Sequence, residues 1–164
     1  MGDEKINLLI VDDEEQFLNS ISRRLKARDF HVIAVDRGEK ALEAARKQEI
    51  DIALVDLKMP GMDGEETLKA LKKEHEWMEV VILTGHGSVE SAVECIQDGA
   101  YKYLQKPCEL DTLLEVLKEA YMKKVINKQQ LKEERLSDLM AYAQGTSPLD
   151  ILRKLKEIDK SNNA

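Results

Sequence analysis

The chain has 164 residues, of which 43% are hydrophobic, 4% aromatic and 35% charged, and it carries a net charge of −7. This length fits one domain of about 100–150 residues with an appendage better than two complete domains. The acidic pI of about 5.1 argues against nucleic-acid binding driven by overall charge, which needs a basic surface. The negative charge belongs to residues 1–107, because residues 108–164 hold ten basic and ten acidic side chains.

Neither a membrane anchor nor a disulfide framework is indicated by the residue pattern. No window approaches the roughly 18 consecutive apolar residues of a membrane span. The first five residues are polar and acidic, unlike the start of a signal peptide. Cys95 and Cys108 are too few for a disulfide framework and lack the spacing of a metal site. We therefore expect a protein of the reduced cytoplasm that has no contact with a membrane.

Short apolar runs rich in β-branched residues recur along the chain and predict buried strands of a parallel sheet. The runs cover residues 6–11, 31–35, 52–55, 80–83 and, more weakly, 101–104. Apolar residues at helical spacing follow each run, and the fifth helix begins at Leu110. Asp63 and Ser88 are suited to cap the third and fourth helices. Five β–α units in succession predict an α/β fold with helices on both faces of the sheet.

The chain changes character after the first turns of the fifth helix. Residues 118–135 hold six basic residues and three glutamates, with sparse apolar positions, which predicts a largely solvated continuation of that helix. A break is expected at residues 144–148, where a serine followed by a proline is suited to begin a short last helix. We therefore predict a domain over residues 1–122 and a helical extension over residues 123–164. The apolar face of the last helix consists of Ile151, Leu152, Leu155 and Ile158.

Charged and polar residues stand directly after four of the five predicted strands. Because the carboxyl ends of parallel strands meet at one edge of a sheet, these side chains are expected to share one crevice. Carboxylates packed together need a cation, and a few hard oxygen ligands completed by water suit Mg²⁺. One carboxylate can then attack phosphorus, while the metal, a lysine and a hydroxyl offset charge on the phosphoryl oxygens. The residues concerned are Asp12 and Asp13 after the first strand, Asp56 after the third, Thr84 after the fourth and Lys106 after the fifth.

Four segments resemble the receiver domain of two-component response regulators, in family order and at family spacing. They are LIVDDE (9–14), VDLKMPGMDG (55–64), ILTGHG (82–87) and GAYKYLQKP (99–107). The resemblance extends over about residues 5–122, and the last two segments are similar to receivers of nitrogen-regulation-type transcriptional activators. It implies a flavodoxin-like, doubly wound sheet of five parallel strands in the order 2-1-3-4-5, with helices on both faces. A C-terminal helical extension follows in this chain.

The resemblance also implies roles for residues of the crevice. Asp56 would accept the phosphoryl group. Mg²⁺ would be bound by Asp13, by Asp56 and by the backbone carbonyl of Lys58, while Asp12 would orient a metal-bound water. Lys106 would contact the phosphoryl group and would precede a cis peptide bond.

A second set of implied roles concerns the response to phosphorylation. Thr84 and Tyr103 would form a switch pair, in which Thr84 moves toward the phosphoryl oxygen and Tyr103 rotates inward. Gly85, which has no side chain, would leave the site open to a phosphodonor. Lys58 and His86 would flank the path of an attacking water and tune the lifetime of the phosphoryl group.

The function implied by the resemblance is a phosphoryl-accepting signalling switch of a two-component system. It would take its phosphoryl group from a sensor histidine kinase and then change its interaction surface. Such a protein is a regulatory phosphoacceptor with Mg²⁺-dependent self-phosphorylation and self-dephosphorylation, and not an enzyme with a separate substrate. Further partners would be a downstream target protein and, through the fifth helix region, a second copy of the chain. We expect no direct contact with nucleic acid.

Two other classes of protein remain open. A phosphorylation-independent adaptor would be expected to lack the acceptor or the lysine, and both are present. An aspartate-nucleophile phosphohydrolase of the haloacid dehalogenase type needs Asp-x-Asp directly after its first strand, where this chain has Asp12, Asp13 and Glu14. Activators of the nitrogen-regulation type continue into an ATPase and a DNA-binding domain. The sequence leaves open whether the chain is a single-domain regulator or part of a longer protein.

Overall fold

The computed structural model describes residues 5–143, 149–150, 152–153 and 156–157. The break predicted at residues 144–148 and most of the predicted last helix lie outside these residues. Strands and helices alternate in the described part of the chain. The strands are β1 Ile6–Val11, β2 Phe30–Val35, β3 Ile52–Val55, β4 Glu79–Thr84 and β5 Lys102–Gln105. The helices are α1 Glu15–Lys26, α2 Gly38–Lys47, α3 Gly64–Glu74, α4 Val89–Gln97 and α5 Leu110–Ala143.

The five strands pair in parallel in the order β2-β1-β3-β4-β5, which confirms the predicted fold. Val11, the last residue of β1, lies beside Val35 on one side and Val55 on the other. The residues that follow β1 and β3 therefore leave the sheet side by side. The charged residue Glu79 belongs to β4 although hydropathy alone excluded it, because ladder hydrogen bonds and not hydropathy define where a strand ends.

The sheet is buried on both faces by helices. On β1, Leu9 and Val11 join a hydrophobic cluster that also contains residues of α2, α3 and α4. Leu8 and Ile10 point the other way and join a cluster with residues of α1 and α5. Both faces of β1 are therefore apolar, which explains why this strand is an unbroken hydrophobic run.

The predicted caps of α3 and α4 are both present. The carboxylate of Asp63 accepts a hydrogen bond from the backbone N–H of Glu66 at 2.9 Å. The hydroxyl of Ser88 accepts one from the N–H of Ser91 at 3.1 Å, and the Ser91 hydroxyl accepts one from the N–H of Ser88 at 3.0 Å. This reciprocal pair is a capping box, and it fixes where α4 begins.

The first residue of α3 must be glycine because the helix begins against the end of β3. A Cβ on Gly64 would overlap the carbonyl oxygen of Asp56 and the Cα of Leu57. The N–H of Gly64 donates to the carbonyl of Leu57 at 2.7 Å. The loop before α3 turns at Gly61, whose φ of +76° is favourable only for glycine. These contacts hold α3 close to the backbone of Asp56.

A largely buried ion pair joins α5 to the amino-terminal end of β3. Lys124 is 6% exposed, and its ammonium donates to the carboxylate of Asp51, which precedes β3. The other oxygen of Asp51 accepts the backbone N–H of Asn7 at 2.8 Å. The prediction that residues 118–135 present a solvated face is therefore wrong for Lys124. Its burial depends on the position of Asp51, which lies 73 residues earlier in the chain.

Residue contacts divide the chain into two compact units, Met1–Lys124 and Val125–Ala164. The second unit includes the remainder of α5, on which Leu136 and Met140 are exposed. Among the described residues, none of the helices combines the length and apolar character that crossing a bilayer requires.

Replacing Lys124 by alanine should lower the free energy of unfolding by about 3 kcal/mol, because the half-buried carboxylate of Asp51 would be left without its cation. Lys118→Ala on the same helix is the matched control. Lys118 pairs with Glu115 at 3.7 Å and both side chains are exposed, so its loss should cost less than about 1 kcal/mol. Urea unfolding followed by the fluorescence of Trp77 measures both values. Equal stability of the two variants would contradict the role given to Lys124.

Candidate functional site

The carboxyl ends of the strands bring the predicted acidic residues together. Asp12, Asp13 and Asp56 each offer a carboxylate oxygen, and these oxygens lie within 4.8 Å of one another. The ladder continues one residue beyond β1 and β3, because the N–H of Asp12 donates to Val35 and that of Asp56 donates to Val11. Asp12 and Asp56 are each 2% exposed, whereas Asp13 is exposed. The sheet therefore holds two of the three carboxylates away from water.

Lys106 reaches the acidic cluster from the end of β5. Its Nζ donates to Oδ2 of Asp12 at 2.6 Å and lies 3.5 Å from a carboxylate oxygen of Glu14. Its backbone N–H donates to the carbonyl of Thr84 at 2.9 Å, and the peptide bond that follows it is cis. The ammonium also lies 4.0 Å from the ring centroid of Phe17, which is a cation–π contact. Lys106 is thus held by both charge and packing.

Glu14 and Phe17 contact Lys106 but were not predicted as site residues. The apolar spacing of α1 assigns Phe17 to the buried face of that helix and gives no sign of a contact with a lysine. The position of Glu14 directly after two aspartates could have indicated that its side chain lies near the site. Both contacts arise because α1 begins directly after β1, and the Lys106 side chain extends from the end of β5 across the ends of β4 and β3 to reach it.

Burial and charge shift the ionisation of this cluster. Burial raises the pKa of Asp12 above its usual value of 3.8, although Lys106 acts in the opposite direction. Burial by itself would lower the pKa of Lys106. The hydrogen bond to Asp12 and the charges of Asp12, Asp56 and Glu14 outweigh it, so the pKa of Lys106 is raised above 10.5. The site therefore favours cations.

Thr84 is the last residue of β4, and Tyr103 lies within β5. Thr84 is fully buried, and its hydroxyl oxygen accepts the N–H of His86 at 3.1 Å. Tyr103 is half-buried, packs against the cluster that contains residues of α2, α3 and α4, and forms a hydrogen bond of 3.0 Å with the hydroxyl of Ser91. A Cβ on Gly87 would overlap the hydroxyl of Tyr103. The pairing of Thr84 with Tyr103 as a switch stays a prediction.

A cavity of about 750 Å³ opens beside the acidic cluster. Its lining includes Asp13, Lys58 and His86. A Cβ on Gly85 would lie 4.0 Å from the side chain of Lys106, which is an ordinary contact, so the space above Gly85 is open. Of the three clustered carboxylates, that of Asp13 lines the cavity, which is large enough to admit a small molecule.

The chain belongs to the family of response regulator receiver domains, and its sheet of five parallel strands has the fold of that family. The family model matches residues 8–118. This result confirms the resemblance seen in the four sequence segments.

Two groups of relatives define the similarity further. The chain is 37% identical over 120 residues to the transcriptional regulatory protein ZraR of Escherichia coli and 33% identical over 111 residues to the DNA-binding transcriptional regulator NtrC of the same organism. These alignments cover 73% and 68% of this chain, but the chain spans only about a quarter of the length of these relatives, 27% and 24%. A CheY-like receiver domain protein of Methanospirillum hungatei has 29% identity and a TM-score of 0.73, over 76% of this chain and 99% of its own.

Replacing Asp12 by asparagine should stabilise the protein at pH 7 in the presence of a metal chelator. A carboxyl group whose pKa is raised on folding binds its proton more tightly in the folded state, so its ionised form costs stability above that pKa. The gain should shrink as the pH falls through the raised pKa of Asp12, because its carboxyl group then takes up a proton. Urea unfolding at several pH values measures the difference.

The control is Asp36→Asn. The hydrogen bond with Lys40 lowers the pKa of this exposed carboxyl, so its replacement should give no gain. A stabilisation by Asp12→Asn that did not change between pH 7 and pH 4 would contradict the assignment.

Proposed function

We propose that the chain is a phosphoryl-accepting signalling switch of a two-component system, with Asp56 as the acceptor and a histidine kinase as the donor. The observation that carries the proposal is the cluster of Asp12, Asp13 and Asp56 facing Lys106 at the open edge of a receiver sheet. Three carboxylates and one lysine leave an excess of negative charge beside a cavity. This arrangement suits a metal-assisted transfer of a phosphoryl group.

The donor set fits Mg²⁺. Hard carboxylate oxygens in small number, one of them on an exposed residue, leave room for the waters that this ion retains. Asp13, Asp56 and the backbone carbonyl of Lys58 would hold the ion, and Asp12 would orient a bound water. When bound, the ion would offset the charge of the carboxylates and polarise the phosphoryl oxygens.

Asp56 is suited to act as the nucleophile. Its Oδ1 accepts the backbone N–H of Leu57 at 2.9 Å, which fixes the plane of the carboxylate. Oδ2 would attack the phosphorus of a phosphohistidine, so that a P–O bond forms as the P–N bond breaks. The imidazole leaves and takes up a proton, and the product on the protein is an aspartyl phosphate.

Lys106 and Thr84 would stabilise the transferred group. The raised pKa of Lys106 keeps its ammonium charged at neutral pH, so it can offset charge on a phosphoryl oxygen. The hydroxyl of Thr84 accepts from His86, and that bond leaves the hydroxyl hydrogen available for donation to a phosphoryl oxygen. Lys58 and His86 line the cavity, where they would tune the approach of the water that hydrolyses the product.

On this proposal the chain would be a regulatory phosphoacceptor of the cytoplasm that phosphorylates and dephosphorylates itself with Mg²⁺. We propose a receiver domain over residues 1–122 and a helical extension over residues 123–164. The limit of the first compact unit at Lys124 supports this division.

Two copies of the chain would associate through the fifth helix region, and this chain would make no direct contact with nucleic acid. On α5, Met122 is 51% exposed, which supports such a contact. Sedimentation at increasing protein concentration measures the association.

Incubation with acetyl phosphate and Mg²⁺ should add one phosphoryl group to the chain, and Asp56→Asn should abolish the addition because an amide is not a nucleophile toward phosphorus. Intact-protein mass spectrometry measures the gain. Asp63→Asn is the matched control, since Asp63 is an aspartate close to the same site and asparagine caps a helix equally well. Labelling that persists in Asp56→Asn, or is lost in both variants, would contradict the assignment.

Removal of Mg²⁺ by a chelator should stop this phosphorylation, and Asp13→Ala should abolish measurable Mg²⁺ binding in calorimetry because too few hard ligands remain. Glu14→Ala provides the control. Glu14 is an exposed acidic neighbour that contacts Lys106 but is not a proposed metal ligand. Its replacement should therefore leave Mg²⁺ binding that calorimetry still detects. Equal affinities of the wild type and Asp13→Ala would refute the ligand set.

A further inference from the structure

Ser91 makes more polar contacts than one hydroxyl can satisfy. A serine hydroxyl has one hydrogen and two lone pairs, so it forms at most three hydrogen bonds. The Oγ of Ser91 lies 3.0 Å from the nitrogen, 3.1 Å from the Oγ and 3.1 Å from the carbonyl oxygen of Ser88. It also lies 3.0 Å from the hydroxyl of Tyr103. Four polar atoms therefore compete for three bonds, and the bond to Tyr103 depends on those that cap α4.

The possible assignments of these bonds are few. The N–H of Ser88 can only donate, so it takes one lone pair of Ser91, and the carbonyl oxygen of Ser88 can only accept the Ser91 hydrogen. With both bonds made, one lone pair remains for either the hydroxyl of Ser88 or the hydroxyl of Tyr103. When Tyr103 donates to it, the capping box stays complete and β5 is connected to the first turn of α4.

Packing places Tyr103 against the same segment at a second point. A Cβ on Gly87 would overlap the hydroxyl of Tyr103, so this ring lies directly against the backbone of the residue before the cap. A displacement of the first turn of α4 must therefore either carry Tyr103 with it or break its bond to Ser91.

Few other contacts hold the beginning of α4. Cys95, in the second half of the helix, is its fully buried residue. Val89 is 82% exposed and Val93 is 51% exposed. Since the first half of α4 buries no side chain completely, the capping box and Tyr103 account for much of what fixes it in place.

We propose that Ser91 is a positioning residue that couples Tyr103 to the start of α4 and so sets how far this helix responds to phosphorylation of Asp56. The inference deepens the proposed function and rests on it. The loop between β4 and α4 follows Thr84, whose hydroxyl accepts the N–H of His86, and ends at Ser88. Movement of Thr84 toward a phosphoryl oxygen would weaken that bond. The displaced loop would then shift the capping box at Ser88, four residues after Thr84.

The coupling itself is tested on the unphosphorylated full chain by amide hydrogen exchange in the first turns of α4, where the N–H of Ala92 donates to Ser88. Ser91→Ala and Tyr103→Phe should each speed exchange at least about threefold, and Ser91→Thr should restore the wild-type rate. The double variant should exchange no faster than Ser91→Ala, because that change already removes the bond that Tyr103→Phe removes. Faster exchange in Ser91→Ala but not in Tyr103→Phe would reduce Ser91 to an ordinary cap and overturn the coupling.

The regulatory part is tested by the same measurement after treatment with acetyl phosphate and Mg²⁺, at equal phosphoryl occupancy measured by intact mass. Phosphorylation should change the exchange of the first turns of α4 in the wild type and in Ser91→Thr, and the change should be at least halved in Ser91→Ala. An unchanged response in Ser91→Ala would overturn the regulatory role while leaving phosphorylation intact. If the wild type takes up no phosphoryl group, the mass measurement shows that the proposed function has failed, and the regulatory role is overturned with it, independently of the coupling test.

Discussion

The mutual repulsion of three carboxylates at one edge of the sheet is the constraint on which the site depends. The parallel pairing of the strands fixes the positions of Asp12 and Asp56, because each residue continues the hydrogen-bond ladder by one step. Burial makes the charge of Asp12 more costly, and Lys106 offsets only part of this cost. The free energy needed to hold the cluster comes from the two apolar clusters that cover the faces of the sheet. A site under this repulsion gains much from a cation.

Charge is balanced differently at the two ends of the strands. At the carboxyl ends of the strands, negative charge exceeds positive charge and part of the cluster is open to a cavity. At the amino-terminal ends, Asp51 and Lys124 neutralise each other, and a backbone N–H takes the second oxygen. The first arrangement is suited to binding and reaction, and the second to holding a helix. The two arrangements differ because the carboxylate of Asp51 is fully neutralised by Lys124, whereas Lys106 neutralises only part of the charge of the three clustered carboxylates.

Features that depend on local pattern could be predicted from the sequence. The strands, the caps at Asp63 and Ser88 and the convergence of Asp12, Asp56 and Lys106 follow from hydropathy, capping chemistry and parallel topology. The roles of these residues in phosphoryl transfer stay predictions. Features that depend on distant partners could not be predicted in this way. The burial of Lys124, the Phe17 ring beside Lys106 and the bond between Ser91 and Tyr103 all require the packed arrangement of separate elements, which spacing along the chain does not encode.

The ion pair between Lys124 of α5 and Asp51 determines where this chain can be shortened without loss of stability. A fragment that stops at residue 122, the boundary that the residue pattern indicates, would contain every residue of the proposed phosphoryl site. It would lack the ammonium group of Lys124, which neutralises Asp51. The loss of stability would arise at the amino-terminal ends of the strands, opposite the carboxylate cluster. A fragment intended for spectroscopy or crystallisation should therefore retain at least one helical turn beyond Lys124, so that this lysine does not sit in a fraying terminus.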